Sequence, residues 1–141
     1  MSDARYKKYA KANAANLNQA ANTVLLTFTA AAPAVITGFG AVADSANGLL
    51  AAGILKLREV PQATGTAADI TGETLTFAAV AARGFGYFKR ASTRIEVEAG
   101  DEITLAVSTD SGAASTADVW IEYEDQSFVG SLIDNYTEKT A

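Results

Sequence analysis

Three carboxylate clusters are the residues best suited to chemistry: Glu96/Glu98, Asp101/Glu102 and Glu122/Glu124/Asp125. Two carboxyl groups cleave glycosidic bonds when one is held protonated and the other ionised. Here Glu96/Glu98 and Glu122/Glu124 stand at i, i+2 in runs that alternate apolar and polar residues. That spacing sets each pair on the polar side of a strand, so the expectation is a solvated face. Serine and threonine are plentiful, but histidine is absent, so no imidazole can activate a hydroxyl. Cysteine is absent as well, which excludes thiol catalysis, thiolate metal sites and disulfides. Lysine-based activation needs a buried lysine, and most lysines here sit near the N-terminus or flank apolar strands. Asp44-Ser45-Ala46-Asn47-Gly48 reads as a turn, because it lacks the repeated oxygen ligands and closing Glu of a calcium loop. The sequence therefore predicts no catalytic residue, no metal ligand and no cofactor.

Two other features bear on binding. Arg83-Gly84-Phe85-Gly86-Tyr87-Phe88-Lys89-Arg90 matches the first four positions of the aromatic strand of an RNA-recognition motif, but Arg90 replaces its closing aromatic. The helices of that fold are missing from the pattern, and Gly38-Phe39-Gly40 repeats the same local theme. A packing role for these glycines is the better reading. Neither Gly-x-Gly opens a helix with a third glycine, so no dinucleotide site is expected. Trp120 lies in Val119-Trp120-Ile121-Glu122-Tyr123-Glu124. If Val119, Ile121 and Tyr123 face the core, Trp120 points outward with Glu122 and Glu124. An outward Trp is either an interface anchor or is covered by a terminal segment of its own chain.

These residues need a scaffold, and the hydrophobic pattern describes one. Thr93 to Ser108 alternates Ile95 and Val97 with Glu96 and Glu98, then Ile103, Leu105 and Val107 with Thr104, Ala106 and Ser108. With Ala99-Gly100-Asp101 as turn, it reads as a hairpin with one dry face. Candidate strands lie at about 23–29, 34–42, 49–59, 74–80, 84–90, 93–98, 103–109 and 117–124. Ala32-Pro33, Thr71-Gly72 and Asp110-Ser111-Gly112 supply further turns, and 61–72 reads as a polar loop. The predicted fold class is all-β, an antiparallel β-sandwich of jelly-roll type with about eight strands and extended N-terminal and C-terminal arms. The domains would be an arm over 1–22, a sandwich over 23–125 and a tail over 126–141. A chain of 141 residues, 49% hydrophobic and 19% charged, is long and apolar enough for one core.

Charge is unevenly distributed. The net charge is −5, but residues 1–22 carry Arg5, Lys7, Lys8 and Lys11 against Asp3. The remaining residues are strongly acidic, which disfavours nucleic acid and anionic membranes as partners. No run of about 18 apolar residues occurs, and no apolar stretch follows the basic residues near the start. Synthesis in a cytosol is expected. The segment 1–22 reads as a mobile tail or a docking arm ordered by a partner, with a helix over Ala10–Ala21 as a third option. In the tail, Phe128, Leu132 and Tyr136, with Val129 and Ile133, have helical spacing. They either fold back on the sandwich or pack on a neighbour. The candidate protein-interaction residues are Arg5, Tyr6, Lys7, Lys8, Tyr9, Lys11, Trp120, Phe128, Leu132, Ile133 and Tyr136.

With the hairpin Thr93–Ser108, the strand Ala117–Asp125 and the basic arm Tyr6–Lys11, the chain resembles the cement (decoration) proteins of tailed-phage capsids. The resemblance is one of style along the whole length, since alternating strands of this type occur in many jelly rolls. It implies a non-enzymatic virion protein on the outer capsid surface, a homo-oligomer (dimer or trimer) whose partner is the major capsid protein. The competing readings are a receptor- or carbohydrate-binding jelly roll of a viral fibre, with Tyr87, Trp120 and Tyr123 as aromatics, and a small viral coat protein.

Overall fold

The computed structural model describes residues 7–44, 49, 51–79, 83–84, 86–113 and 115–125. Among these residues eight strands form: β1 (Lys7–Asn16), β2 (Val24–Thr29), β3 (Ala34–Ala43), β4 (Gly53–Val60), β5 (Ala68–Phe77), β6 (Gly86–Val97), β7 (Glu102–Thr109) and β8 (Thr116–Asp125). They make two four-stranded antiparallel sheets, ordered β1-β8-β3-β6 and β2-β7-β4-β5. This is a jelly-roll sandwich, as the alternation implied. Among the described residues there is no helix.

Only β4 and β5 are both consecutive and paired; every other connection crosses from one sheet to the other. The expected hairpin at 93–108 is thereby corrected. Its turn is present: Asp101 N–H donates to Glu98 O (3.0 Å) and Gly100 sits at φ +92°, a conformation that suits glycine. But β6 pairs with β3, and β7 pairs with β2 and β4. The branched residues of the two strands therefore face each other across the core. Period-two alternation reports which face of a strand is dry; it does not name the neighbouring strand. Nor is the other face of β7 wet. Thr104 and Ala106 are buried, and Lys56, the cross-strand neighbour of Ala106, is buried too.

Several boundaries move for one reason, local bulges. The expected strands 84–90 and 93–98 are a single strand, β6. Ile36 pairs with Ile95 and Gly38 with Arg90, so residues 91–94 bulge out of the ladder. Likewise β5 starts at Ala68, inside the expected loop, and Thr71-Gly72 belongs to a bulge opposite Lys56–Arg58. The two bulges meet at the seam between the sheets. Glu73, wholly buried, accepts the Ser92 N–H at 2.7 Å, and Lys89 Nζ lies 3.8 Å from its carboxylate. That bond satisfies a backbone donor which the bulge removes from the ladder. β4 begins at Gly53 rather than at 49, and Leu49 makes an isolated bridge to Ser115.

The N-terminal segment is the largest departure. Residues 7–16 are neither mobile tail nor helix; they are an edge strand paired with β8. Alanine's helix propensity is a weak preference that the ladder with β8 overrides. Ala10, Ala12 and Ala15 pack on the core, and Leu17, fully buried, plugs it. The Leu17 N–H donates to Ser115 O at 2.8 Å. One leucine suffices because the backbone pairing does the rest. The compositional boundary at 22/23 thus falls between β1 and β2, each in a different sheet. The expected helix at 126–141 lies outside the described residues.

The core is formed by the inner faces: Ile36 and Phe39 of β3, Leu55 and Leu57 of β4, Leu75 and Phe77 of β5, Ile103, Leu105 and Val107 of β7, and Val119 and Ile121 of β8. Truncating Leu17 should show how firmly β1 is held. We expect Leu17→Ala to cost about 2–5 kcal/mol, measured by urea unfolding. A loss below about 0.5 kcal/mol would mean β1 is not anchored by this side chain.

Candidate functional site

Among the described residues, the outer face of the β1-β8-β3-β6 sheet gathers the exposed aromatic side chains. Register aligns Tyr9 with Glu122 and Lys11 with Trp120 across β1 and β8. It aligns Trp120 with Gly40 across β8 and β3, and Gly40 with Phe88 across β3 and β6. The two glycines of β3 explain how the rings lie. A Cβ at Gly40 would stand 2.4 Å from the Trp120 ring, and one at Gly38 would stand 2.6 Å from the Phe88 ring. Both rings therefore settle on bare backbone, where any other residue would lift them. The packing role expected for these glycines is what the structure shows. The result is an open groove of about 420 Å³ lined by Tyr9, Lys11, Phe88, Trp120 and Glu122.

Glu122 is the polar hub of this face. Its Oε1 accepts from Thr37 Oγ1 (2.7 Å) and Lys7 Nζ (3.3 Å), and its Oε2 accepts from Tyr9 Oη (3.0 Å). Thr37 can reach it because β3 bulges at that residue: Ile36 pairs with Tyr123 and Gly38 with Glu122. Burial pushes the Glu122 carboxyl pKa up, but the bonds from Thr37, Tyr9 and Lys7 outweigh it and hold the pKa below the ordinary carboxylate value. The same bond, with the Glu122 charge, raises the Tyr9 phenol above its usual value. So Glu122 is not the solvated carboxylate that its alternation suggests. Lys7 also lies 3.5 Å from Glu124, and Lys8 lies 3.6 Å from Asp125.

Of the expected interaction residues, Lys7, Tyr9, Lys11 and Trp120 come together on this face. Lys8 pairs with the end of β8. Arg5, Tyr6, Phe128, Leu132, Ile133 and Tyr136 lie outside the described residues. Trp120 points outward, as expected, with Val119 and Ile121 in the core. Of the other aromatics named for a sugar site, Tyr87 packs against the core and its hydroxyl meets the Ala78 backbone at 3.2–3.3 Å. Tyr123 packs on Phe28, with ring centroids 4.2 Å apart. Phe88, Thr37 and the bonded state of Glu122 escaped the sequence reading. The available signal was the period-two match of Gly38/Gly40 with large aromatics on flanking strands, usable only once the register is known.

Elsewhere Lys56, buried, donates to Asn22 Oδ1 (2.6 Å) and Asp69 Oδ2 (3.0 Å), while Arg58 donates to Asp69 Oδ1 (2.8 Å). These bonds, that from Lys56 foremost, lower the Asp69 pKa. No group of three or more His, Cys, Asp or Glu among the described residues could hold a metal ion.

No protein-family model matches the chain, and no curated protein matches it. Solved structures do. The globular domain of a zebrafish complement 1qA protein aligns over 85% of this chain and 96% of its own, with a TM-score of 0.50 and 6% identity. A CBM36-1 domain of a multidomain xylanase, from the hindgut metagenome of Trinervitermes trinervoides, covers 83% of this chain and 95% of its own, with a TM-score of 0.46 and 10% identity. The infectious bursal disease virus Gx strain structure covers 84% of this chain and 32% of its own, with a TM-score of 0.44 and 13% identity. Such likeness is one of fold, and function does not travel with it.

Two outcomes test the geometry. Because the folded pKa of Glu122 is depressed, its stabilisation is complete above the ordinary carboxylate value and is lost as pH falls through the folded value. Urea midpoints should fall on acidification below that range, and Glu122→Gln should flatten the fall. An unchanged slope in the variant would remove Glu122 from the account. Gly40→Ala should displace the Trp120 ring, shift its fluorescence and cost about 1–3 kcal/mol; an unaltered spectrum would show that the ring does not rest on this glycine.

Proposed function

We propose that this chain is a non-catalytic structural protein that docks on the outer surface of a tailed-phage capsid and cements neighbouring major capsid protein subunits. The observation that carries the reading is the corner where β1 starts and β8 stops. Lys7 is the register partner of Glu124, and Lys8 Nζ stands 3.6 Å from Asp125. Lys7 and Asp125, which adjoin segments 1–6 and 126–141, therefore stand at one corner of the sandwich. Those segments carry Arg5, Tyr6, Phe128, Leu132, Ile133 and Tyr136, basic, aromatic and aliphatic side chains that could serve as interface contacts.

In this reading the two segments that adjoin this corner engage the same neighbour. Once the first is bound, the second contact is intramolecular and gains from a high local concentration. Many copies on a closed lattice multiply that gain, and a symmetric dimer or trimer would match the lattice symmetry. The jelly roll serves as the rigid body between contacts. In this reading the protein is made in the host cytoplasm, becomes part of the virion, and binds neither nucleic acid nor membrane.

Co-sedimentation with expanded phage heads tests it, comparing the full chain with versions lacking 1–6 or 126–141. Removing 1–22 would strip the edge strand and confuse docking with unfolding. Each short deletion should weaken binding by about tenfold or more. Undiminished occupancy by both truncated versions would take the termini out of the grip, and no binding by the full chain would end the capsid reading.

A further inference from the structure

We infer that the groove on the outer face of the β1-β8-β3-β6 sheet is a binding site for a pyranose sugar that bears a carboxylate, such as a hexuronic or sialic acid. This site does not depend on capsid docking.

The groove's shape comes first. Tyr9 is 48% exposed and Phe88 44% exposed. These are large fractions for aromatic rings in a folded domain, which usually find cover. Trp120 lies between them, seated on Gly40. The rings are thus held in place before any ligand arrives, which lowers the entropic cost of binding. A pyranose has the complementary form: a flat C–H face that stacks on a ring, and hydroxyls around its rim. A volume of about 420 Å³ falls in the ordinary range for small-ligand sites, roughly 300–1,000 Å³.

The polar groups come second. Glu122 lines the groove, and its Oε2 accepts one bond, from Tyr9. A carboxylate oxygen has two lone pairs, so Oε2 keeps capacity for a sugar hydroxyl. Lys11 Nζ stands 5.8 Å from the centre of the Tyr9 ring, and the Arg90 guanidinium 5.8 Å from that of Phe88. Among the described residues neither is in an ion pair. Other cations of this sheet are spent on carboxylates: Lys7 on Glu122 and Glu124, Lys8 on Asp125, Arg94 on Glu96. Two cations outside any ion pair, flanking an aromatic floor, call for an anion with an apolar face.

The location comes third. The groove lies over β8 and β3, inner strands whose backbone groups are committed to neighbours on both sides. A peptide that adds itself as a strand needs a free edge. Recognition on this face rests on side chains alone, which suits a sugar better than an extended peptide.

Trp120 is the chain's single tryptophan, so its fluorescence reports this groove alone. The test is a titration of the full chain with tri-galacturonic acid and with 3′-sialyllactose, against maltotriose as a neutral sugar and a short Asp/Glu peptide as a non-sugar anion. At least one acidic sugar should change the emission with a millimolar or tighter Kd and give saturation-transfer NMR signals from its ring protons. Maltotriose should bind about tenfold more weakly, the equivalent of losing one charge-assisted contact. Lys11→Gln with Arg90→Gln should remove the preference for the acid with circular dichroism unchanged, and Phe88→Ala should weaken every sugar. No response to either acidic sugar would overturn the inference. So would equal binding of maltotriose, an unaffected double variant, or a tighter response to the acidic peptide.

Discussion

The pairing of β1 with β8 is the constraint on which the other features rest. It is a backbone ladder between segments a hundred or more residues apart, fixed by an apolar plug at one end and by carboxylates of β8, Glu122 foremost. Leu17 closes the core end, and Glu122 ties Lys7 and Tyr9 of the edge strand to Thr37 of the next strand but one. Without β1 the groove would lose Tyr9 and Lys11, Glu122 would lose two of its three side-chain donors, and Lys7 and Lys8 would no longer stand beside Glu124 and Asp125. Ala14 shows that the pairing is worth some strain. It sits at φ +52° in the bulge between Ala12 and Ala15, where its N–H meets Asp118 Oδ1 at 2.9 Å. A left-handed conformation costs a non-glycine residue roughly 1–2 kcal/mol, and the ladder on either side offsets it.

The buried charges share a common purpose. Glu73 satisfies the amide of a bulge, Lys56 bridges Asn22 and Asp69, and Glu122 gathers three donors. A buried ion is tolerable only when its hydrogen bonds are supplied locally. These three are supplied by neighbouring strands or loops, so each holds two parts of the chain in register. Their environments describe fasteners, with the rings of Tyr9, Phe88 and Trp120 left as the outward-facing material.

The strand content and the class of fold were legible in the sequence because alternation is a local property. Ile95, Val97, Ile103, Leu105 and Val107 all point inward, as their spacing says. Strand partners were not legible, since β6 and β7 look like a hairpin and yet belong to different sheets. The bulges at 70–73 and 91–94 hid for a similar reason: a bulge is a relation between two strands. Lys7–Asn16 looks like an arm in the sequence because alanine and lysine give no alternation of large side chains. Of the groove, Trp120, Tyr9 and Lys11 could be nominated one by one. Their meeting with Phe88 over Gly38 and Gly40 is set by register alone.

The sheet-crossing topology has a consequence in time. Lys7 and its partner Glu122 are 115 residues apart. At about 5–20 residues per second, a ribosome needs roughly 6–23 seconds to make the second after the first. Throughout that interval β1 has no companion strand, and a local hairpin cannot shelter it because β1 and β2 belong to opposite layers. β1 can be fastened only once β8 has emerged, so the paired corner and the aromatic groove come into being together.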